Sequence, residues 1–424
     1  MTDDRALLGC AVTPFRHKMS KPKINPVLLL SPVENGYVAY DPVLDRLHHL
    51  NPTAALIAEL SDGDRSIETI CDLVCPIMPD KKAEDVSDWI AKSIDAGLLV
   101  WADSASAKAS ELSAAELFNL TKRLRAAGKV QTAYLCGKRT VEQQPDNWDA
   151  WYDFGEIAQC VGRREEARAA YQKYFDMNPH DGEIEHLLIA LRDETPPLRA
   201  SDRAIQHIYK NFAPSYEERM VGDLKYAGPQ RTLEAAKSVI GDRKDLTILD
   251  LGCGSGLTGN SFKEYAASLT GIDLSTEMIE LARARGIYNQ LEKAEITEWL
   301  EHDERVFDMI VSCDCLIYFG DLANIVRLAS RHLRPKGILA FSVERGTHAP
   351  FHLTDTGRYN HHPDHIRDCA IGCGMEIVKI NEGFLRMEYG DEVGGLYVVL
   401  RNPNKTHDKR GVGKAELQDA YSPG

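Results

Sequence analysis

Tyr37-Val38-Ala39-Tyr40 has the pattern of a strand, stopped by Asp41-Pro42, and beyond it the apolar positions take up a helical period. Asn51-Pro52-Thr53 opens a first helix with its apolar face at Ala54, Leu56, Ile57 and Leu60, because asparagine caps a helix start and proline suits its first turn. Asp62-Gly63-Asp64 turns the chain, and Ser66 caps a second helix carrying Ile67, Ile70, Leu73 and Val74. A third runs from Glu84 to about Ala96, stops at Gly97, and is followed by the short strand Leu98-Leu99-Val100-Trp101. Strand, three helices and strand within residues 1–105 predict a small α+β winged helix.

Residues 106–200 repeat. Trp151, Phe154, Gly155, Ala158, Ala167, Tyr171 and Pro179 are echoed one period of ~34 residues earlier by Leu117, Leu120, Leu124, Ala133 and Pro145. This spacing resembles two tetratricopeptide repeats, an all-α array, with a helix from Gly182 to Arg192 as a terminal cap before Pro196-Pro197. A short array of helix pairs buries Trp151 and Tyr171 as core, and leaves a shallow concave face for protein partners.

Residues 201–402 alternate strands and helices. Leu246-Thr-Ile-Leu-Asp250 ends in an acid and leads through Leu251-Gly252-Cys253-Gly254-Ser255-Gly256 into a helix expected from Leu257 to Ala267. Leu269-Thr-Gly-Ile-Asp273 is a second strand ending in an acid, about 20 residues on, where doubly wound folds place a ribose-hydroxyl acceptor. Ser275 caps a helix to Gly286, Ala294-Glu295 marks a third acidic end, Phe307 to Cys313 a fourth strand and Ile338 to Val343 a fifth. The glycine interval lacks the G-x-G-x-x-G spacing that sets a pyrophosphate on a helix start, which argues against a nicotinamide dehydrogenase. The tail 403–424 has no apolar period and is expected to be disordered.

Composition narrows the classes. A net charge of −14 over 424 residues excludes a uniformly basic nucleic-acid coat or a polybasic membrane binder. No stretch approaches the ~18 apolar residues of a membrane span, and Leu7 to Phe15 is too short, so a cytoplasmic protein is expected. Ten cysteines at spacings such as Cys71-x3-Cys75, Cys313-x-Cys315 and Cys369-x3-Cys373 form no zinc pattern, and buried reduced thiols are expected, with no metal.

The amino-terminal series YDP, LNPTAALIAEL, DGDRSIETICDLV and DVSDWIAKSIDAGLLV, from Glu34 to Trp101, resembles the PqqD-like domain. That resemblance implies capture of the leader segment of a ribosomally made peptide at residues 34–101, by addition of an extended strand to a sheet edge. The third helix offers one lysine against four acids, contrary to a DNA-reading helix.

LDLGCGSG, GIDLS, FDMIVSCDCLIYF and LRPKGILAFS, in that order, resemble the class I S-adenosylmethionine-dependent methyltransferases, with a Rossmann-like seven-stranded α/β domain over 201–402. The resemblance implies S-adenosylmethionine as cofactor and S-adenosylhomocysteine as product. It places Asp250, Gly252, Gly254 and Gly256 around the methionine portion, Asp273 on the ribose, Leu274 and Met278 at the adenine, and Glu295 with Ile296 at its far side. Ile208 to Glu217 resembles an aromatic entry helix, in which Tyr216, then Tyr209, closes over the cofactor, and the fourth-strand residues Cys313-Asp314-Cys315-Leu316-Ile317-Tyr318 face the methyl in related folds.

Methyl transfer asks mainly for alignment and exclusion of water, and for a base only where the nucleophile must lose a proton. The N/D-P-P-Y/F signature is absent, which disfavours nucleic-acid amino groups as acceptors. His361 or His352 could serve as the base, with Tyr318 beside the methyl, while Arg358 could clamp a carboxylate and Tyr359 orient the acceptor. The fused PqqD-like segment favours a peptide or peptide-derived acceptor; a small-molecule O- or N-methyltransferase and a non-catalytic scaffold are the alternatives. A homodimer is left open.

Overall fold

The structure is a computed structural model describing residues 21–33, 36–78, 81–104, 112–192, 194–348, 350–388 and 390–403, so nearly all of the expected tail lies outside the described residues. The chain divides into two compact units between Tyr174 and Phe175.

In the first unit β1 (Pro22–Ile24) pairs antiparallel with β5 (Leu99–Trp101), and β2 (Leu29–Val33), β3 (Gly36–Asp41) and β4 (Arg46–Leu50) form an antiparallel sheet in that order. Between them lie α1 (Pro52–Leu60), α2 (Ile67–Val74) and α3 (Ala83–Asp95). The caps are the expected ones: the Asn51 side chain accepts the Ala54 N–H and Ser66 that of Thr69. Ile57, Ile70, Val74, Val86, Ile90 and Leu99 form the core. Three strands went unpredicted. β4, Arg-Leu-His-His-Leu, is mostly polar and β2 carries Pro32, so neither has the apolar alternation of a half-buried strand.

Two helix pairs follow, α4 (Ala114–Ala126) with α5 (Val130–Gln143) and α6 (Trp148–Cys160) with α7 (Arg164–Met177). Ala158, Ala167 and Tyr171 are buried, while Trp151 is only partly covered and donates its indole N–H to the Pro145 carbonyl at 2.7 Å. The helix expected to cap these pairs, α8 (Gly182–Ala190), belongs to the second unit. It packs on α9 (Asp202–Phe212), where the Gly182 N–H donates to His207 Nδ1 at 3.1 Å.

After the single turn α10 (Tyr216–Glu218) and α11 (Gly228–Ile240), the second unit is a doubly wound sheet. Its strands are β6 (Leu246–Leu251), β7 (Ala266–Asp273), β8 (Gln290–Lys293), β9 (Phe307–Ser312) and β10 (Leu333–Arg345), ordered β8-β7-β6-β9-β10 and parallel throughout. Helices α12 (Leu257–Phe262), α13 (Thr276–Arg285), α14 (Ile296–His302) and α15 (Ala323–Arg331) connect them. The end of β10 carries the hairpin β11 (Phe351–Leu353) and β12 (Tyr359–His361), and α16 (Pro363–Gly372) leads to β13 (Glu376–Glu388) and β14 (Asp391–Arg401). β14 runs antiparallel to both β10 and β13.

Neighbouring strand residues feed opposite cores: Leu249, Ile310 and Leu339 enter one, Ile248, Met309 and Ile338 the other. That is why these strands read as continuous apolar runs. The helix expected to reach Ala267 stops at Phe262, because Ala266 already pairs with Leu246.

Candidate active site

The carboxyl ends of β6, β7 and β9 open into a cavity. Gly252 and Gly254 line its floor. A Cβ on Gly252, at φ 67°, would lie 2.2 Å from Cys315 Sγ, and one on Gly254, at φ 52°, would point toward the Tyr216 hydroxyl at 3.6 Å, into the cavity. Only glycine leaves this space open.

Asp273, at the end of β7, stands at the wall beside Leu274. Its Oδ2 accepts the Gly254 N–H and its Oδ1 the Ser275 N–H, both at 2.8 Å. Burial raises its pKa, and those two N–H groups oppose the rise. Each oxygen keeps acceptor capacity, so the pair suits two vicinal hydroxyls of a ribose. Ile296 gives an apolar wall, while Glu295 caps α14 and lies 3.6 Å from Arg199 Nη1.

Tyr209, Tyr216 and Tyr318 cover the cavity, with ring centroids 6.2 Å apart for Tyr209–Tyr216 and 6.1 Å for Tyr209–Tyr318. Pairing of Leu198 to Ala200 with Tyr318 to Gly320 holds the last ring in place: the Ala200 N–H donates to the Tyr318 carbonyl at 2.8 Å. Cys313 also lines the cavity, its thiol donating to Thr232 Oγ1 at 3.4 Å and pushed up to about 12 by burial, so it is neutral.

Three expected cofactor residues stand behind the wall instead of in it. Asp250 is fully buried, accepts the Tyr288 hydroxyl at 2.7 Å and is pushed up to about 7 by burial. Gly256 is closed off by Arg285 and Tyr288, 2.9 and 3.0 Å from where its Cβ would be, and Met278 is wholly inside the core. They shape the glycine loop and do not border the cavity.

The acceptor-side expectations change more. His361 is not on a rim: it is fully buried, Nε2–H donates to the Phe319 carbonyl at 2.8 Å, and burial lowers its pKa to about 4. Tyr359 is also buried and donates its hydroxyl to the Pro197 carbonyl. Arg358 donates from Nη1 to Glu388 and does not line the cavity, so it is not placed to clamp an acceptor there. His352 is exposed beside His348, ring centroids 5.8 Å apart, and does not line the cavity. Asp314 and Cys315, on the segment expected to face the methyl, also line it, as do Arg199, Ile205 and Phe319, which were passed over. Asp314 was expected to face the methyl but was given no role of its own, although an acid at a strand's carboxyl end was a signal for one.

The described cysteines are all free. Asp321, His365 and Cys369 bring donor atoms within 4.8 Å of one another, but His365 Nε2 already accepts the Leu322 N–H at 3.3 Å.

Comparison with known proteins finds relatives for two parts of the chain. The family described as a methyltransferase domain matches residues 249–341, and that described as coenzyme PQQ synthesis protein D matches residues 36–99. The ubiquinone biosynthesis O-methyltransferase of Xanthomonas oryzae pv. oryzae is 32% identical over 196 residues, 41% of this chain and 79% of that one. The malonyl-[acyl-carrier protein] O-methyltransferase of Salmonella typhimurium is 32% identical over 145 residues, 34% of this chain and 55% of that one. Among solved structures, an S-adenosylmethionine-dependent methyltransferase from Mesorhizobium loti is 22% identical and covers 40% of this chain and 96% of its own, at a TM-score of 0.33.

Proposed function

Because the chain belongs to the S-adenosylmethionine-dependent methyltransferases, we propose that it methylates a ribosomally made peptide, or a molecule derived from one, recruited by its PqqD-like region. The observation that carries the peptide half is the edge of the three-stranded sheet. β4 has β3 on one side and no strand on the other among the described residues, and Val43, Leu44 and Leu47 beside it are 67%, 55% and 42% exposed. A free edge offers backbone hydrogen bonds to an extended chain, and apolar side chains beside it offer slots for alternate residues. Tethering a captured peptide would raise the acceptor's effective concentration at the site to roughly the millimolar range.

In this reading Asp273 holds the ribose, Leu274 and Ile296 flank the adenine, and Gly252 and Gly254 let the backbone approach the methionine portion. Tyr209 and Tyr216 exclude water. When bound, the cofactor supplies an electrophilic methyl on a sulfonium. The helix pairs α4–α5 and α6–α7 are read as tetratricopeptide-like repeats for protein partners, the α1–α3 region as a winged helix, and the protein as cytoplasmic. The names of the relatives favour a second reading, O-methylation of a small or carrier-bound molecule.

Co-expression of the full chain with short peptides encoded beside it, followed by mass spectrometry, separates the two. A methyl-sized mass increase on a peptide, lost when β4 is disrupted by His48→Pro and Leu47→Asp, supports recruitment. An unmodified peptide, alongside turnover of a small hydroxylated acceptor, refutes it.

A further inference from the structure

The expected acceptor residues His361, Arg358 and Tyr359 are engaged elsewhere, yet the cavity has a polar end that none of them supplies. β7, β6 and β9 are consecutive in the sheet, so Asp273 and Asp314 are separated by two strand spacings, about 10 Å. The ribose side of the cavity therefore lies over β7, and the side away from it over β9 and β10. Asp314 stands at that far side, one residue beyond Cys313, which follows the end of β9.

Its backbone has φ 54°, a region that aspartate and asparagine tolerate better than other side chains. The Asp314 N–H is held by Ser342 Oγ at 3.0 Å. Behind the carboxylate is Arg386, only 2% exposed on β13, whose Nη2 is paired with Glu344. Arg386 Nη1 reaches both Asp314 oxygens, at 3.3 Å each, longer than the ~2.7–2.9 Å of a tight charge-assisted bond. Arg386 is thus engaged mainly by Glu344, and Asp314 keeps lone pairs for the cavity that it lines. Glu388 sits 3.6 Å from Arg386 and also binds Arg358. The far end therefore holds three carboxylates, Asp314, Glu344 and Glu388, against two guanidiniums.

We propose that Asp314 is the acceptor-side catalytic residue: its carboxylate holds the N–H or O–H of the nucleophile and takes the proton released on methylation. This deepens the methyltransferase reading and rests on it. A lone pair on the nucleophile forms the X–CH₃ bond, the S–CH₃ pair returns to sulfur as a neutral thioether, and the proton passes to Asp314 and then to water while the X–H pair stays on X. An excess of carboxylates suits an amine or a hydroxyl acceptor. It repels a carboxylate acceptor, the class a free Arg358 would have selected.

The test uses sinefungin, in which an amine-bearing carbon stands where the cofactor has its methyl sulfonium, so that an ammonium is offered to the acceptor end without any acceptor. Calorimetry on the full chain should find sinefungin binding at least tenfold tighter than S-adenosylhomocysteine, as expected of a charge-assisted bond. In Asp314→Asn, compatible with the positive φ, that preference should shrink at least fivefold while S-adenosylhomocysteine affinity stays within about twofold. Asp314→Gly, which has no carboxylate and no backbone strain, should behave in the same way and guards against a misfolded variant. An unchanged sinefungin preference in both variants overturns the assignment of Asp314 and leaves the cofactor site standing. Failure of the wild-type chain to bind either ligand overturns the methyltransferase reading itself.

Discussion

Tyr288 donates its hydroxyl to Asp250 at 2.7 Å, tying the chain after α13 to the strand end beneath the glycine loop. The tyrosine ring fits only because its neighbours are glycines; a Cβ on Gly259 would lie 2.3 Å from the Tyr288 hydroxyl. Tyr288→Phe leaves Asp250 Oδ2 without its donor and should cost about 1–3 kcal/mol of stability. A loss of several degrees in melting temperature, with S-adenosylhomocysteine affinity altered less than in an Asp273 variant, is the expected pair of measurements.

Asp250 gives the fold a pH dependence of known sign. Its ordinary value is 3.8 and burial lifts it to about 7 in the fold, so between those pH values the folded chain binds more protons than the unfolded one. Its contribution therefore weakens as pH rises from about 4 to 7 and is flat beyond. The melting temperature of Asp250→Asn relative to wild type should climb across that window and then level off. A difference independent of pH would show that Asp250 ionises normally.

Asp273→Ala removes the acceptor for two hydroxyls. At roughly 1.5–3 kcal/mol for each hydrogen bond to a charged group, calorimetry should show S-adenosylmethionine affinity falling by tenfold or more. Asp273→Asn should lie between, since one acceptor oxygen is kept.

Arg386 is the buried counterion of two acids at once, Glu344 and Asp314. Arg386→Met should destabilise by about 3–5 kcal/mol in urea unfolding, because buried carboxylates are left without a cation. Adding Glu344→Leu should recover part of the loss. A double variant worse than the single one would show that Glu344 is not the partner that matters.

His361 acts on the fold and not on the proton of the acceptor. Its pKa is lowered from 6.5 to about 4 by burial, so the folded chain binds fewer protons than the unfolded one between those values. Stability is lost as pH falls through that window. Nuclear magnetic resonance should find the His361 ring neutral at pH 6, and His361→Ala should lower the melting temperature while leaving S-adenosylhomocysteine affinity within about twofold.

The cofactor half of the site was legible because its signals are local. A strand ending in an acid, a glycine loop and a second strand ending in an acid are contiguous from Leu246 to Asp273, and each element fixes the position of the next. Gly256, in the glycine loop, and Met278, on α13, were expected at the cavity but stand behind its wall, since helical and loop periodicity do not tell a wall from its backing. The acceptor end was not legible, because Asp314 meets Arg386 across 72 positions of sequence and a single arginine in an otherwise mixed strand carries no mark of its partner. Histidines clustered in a polar stretch suggested a rim, but β12 adds to β10 there and carries His361 inside. β4 was missed for the opposite reason: an edge strand needs no apolar face.

The placement of Arg386 on β13 sets an order on the making of the protein. By the time a ribosome has extended the chain through Phe319, every residue that borders the cavity has been polymerised, whereas the cation that compensates Asp314 and Glu344 comes some seventy positions after Asp314. Both cores of the sheet wait for the same segment, since Leu385 of β13 and Leu396 to Leu400 of β14 fill them. Translation of β13 and its hairpin partner β14 therefore completes the walls of the sheet and the charge balance of its acceptor end in one step.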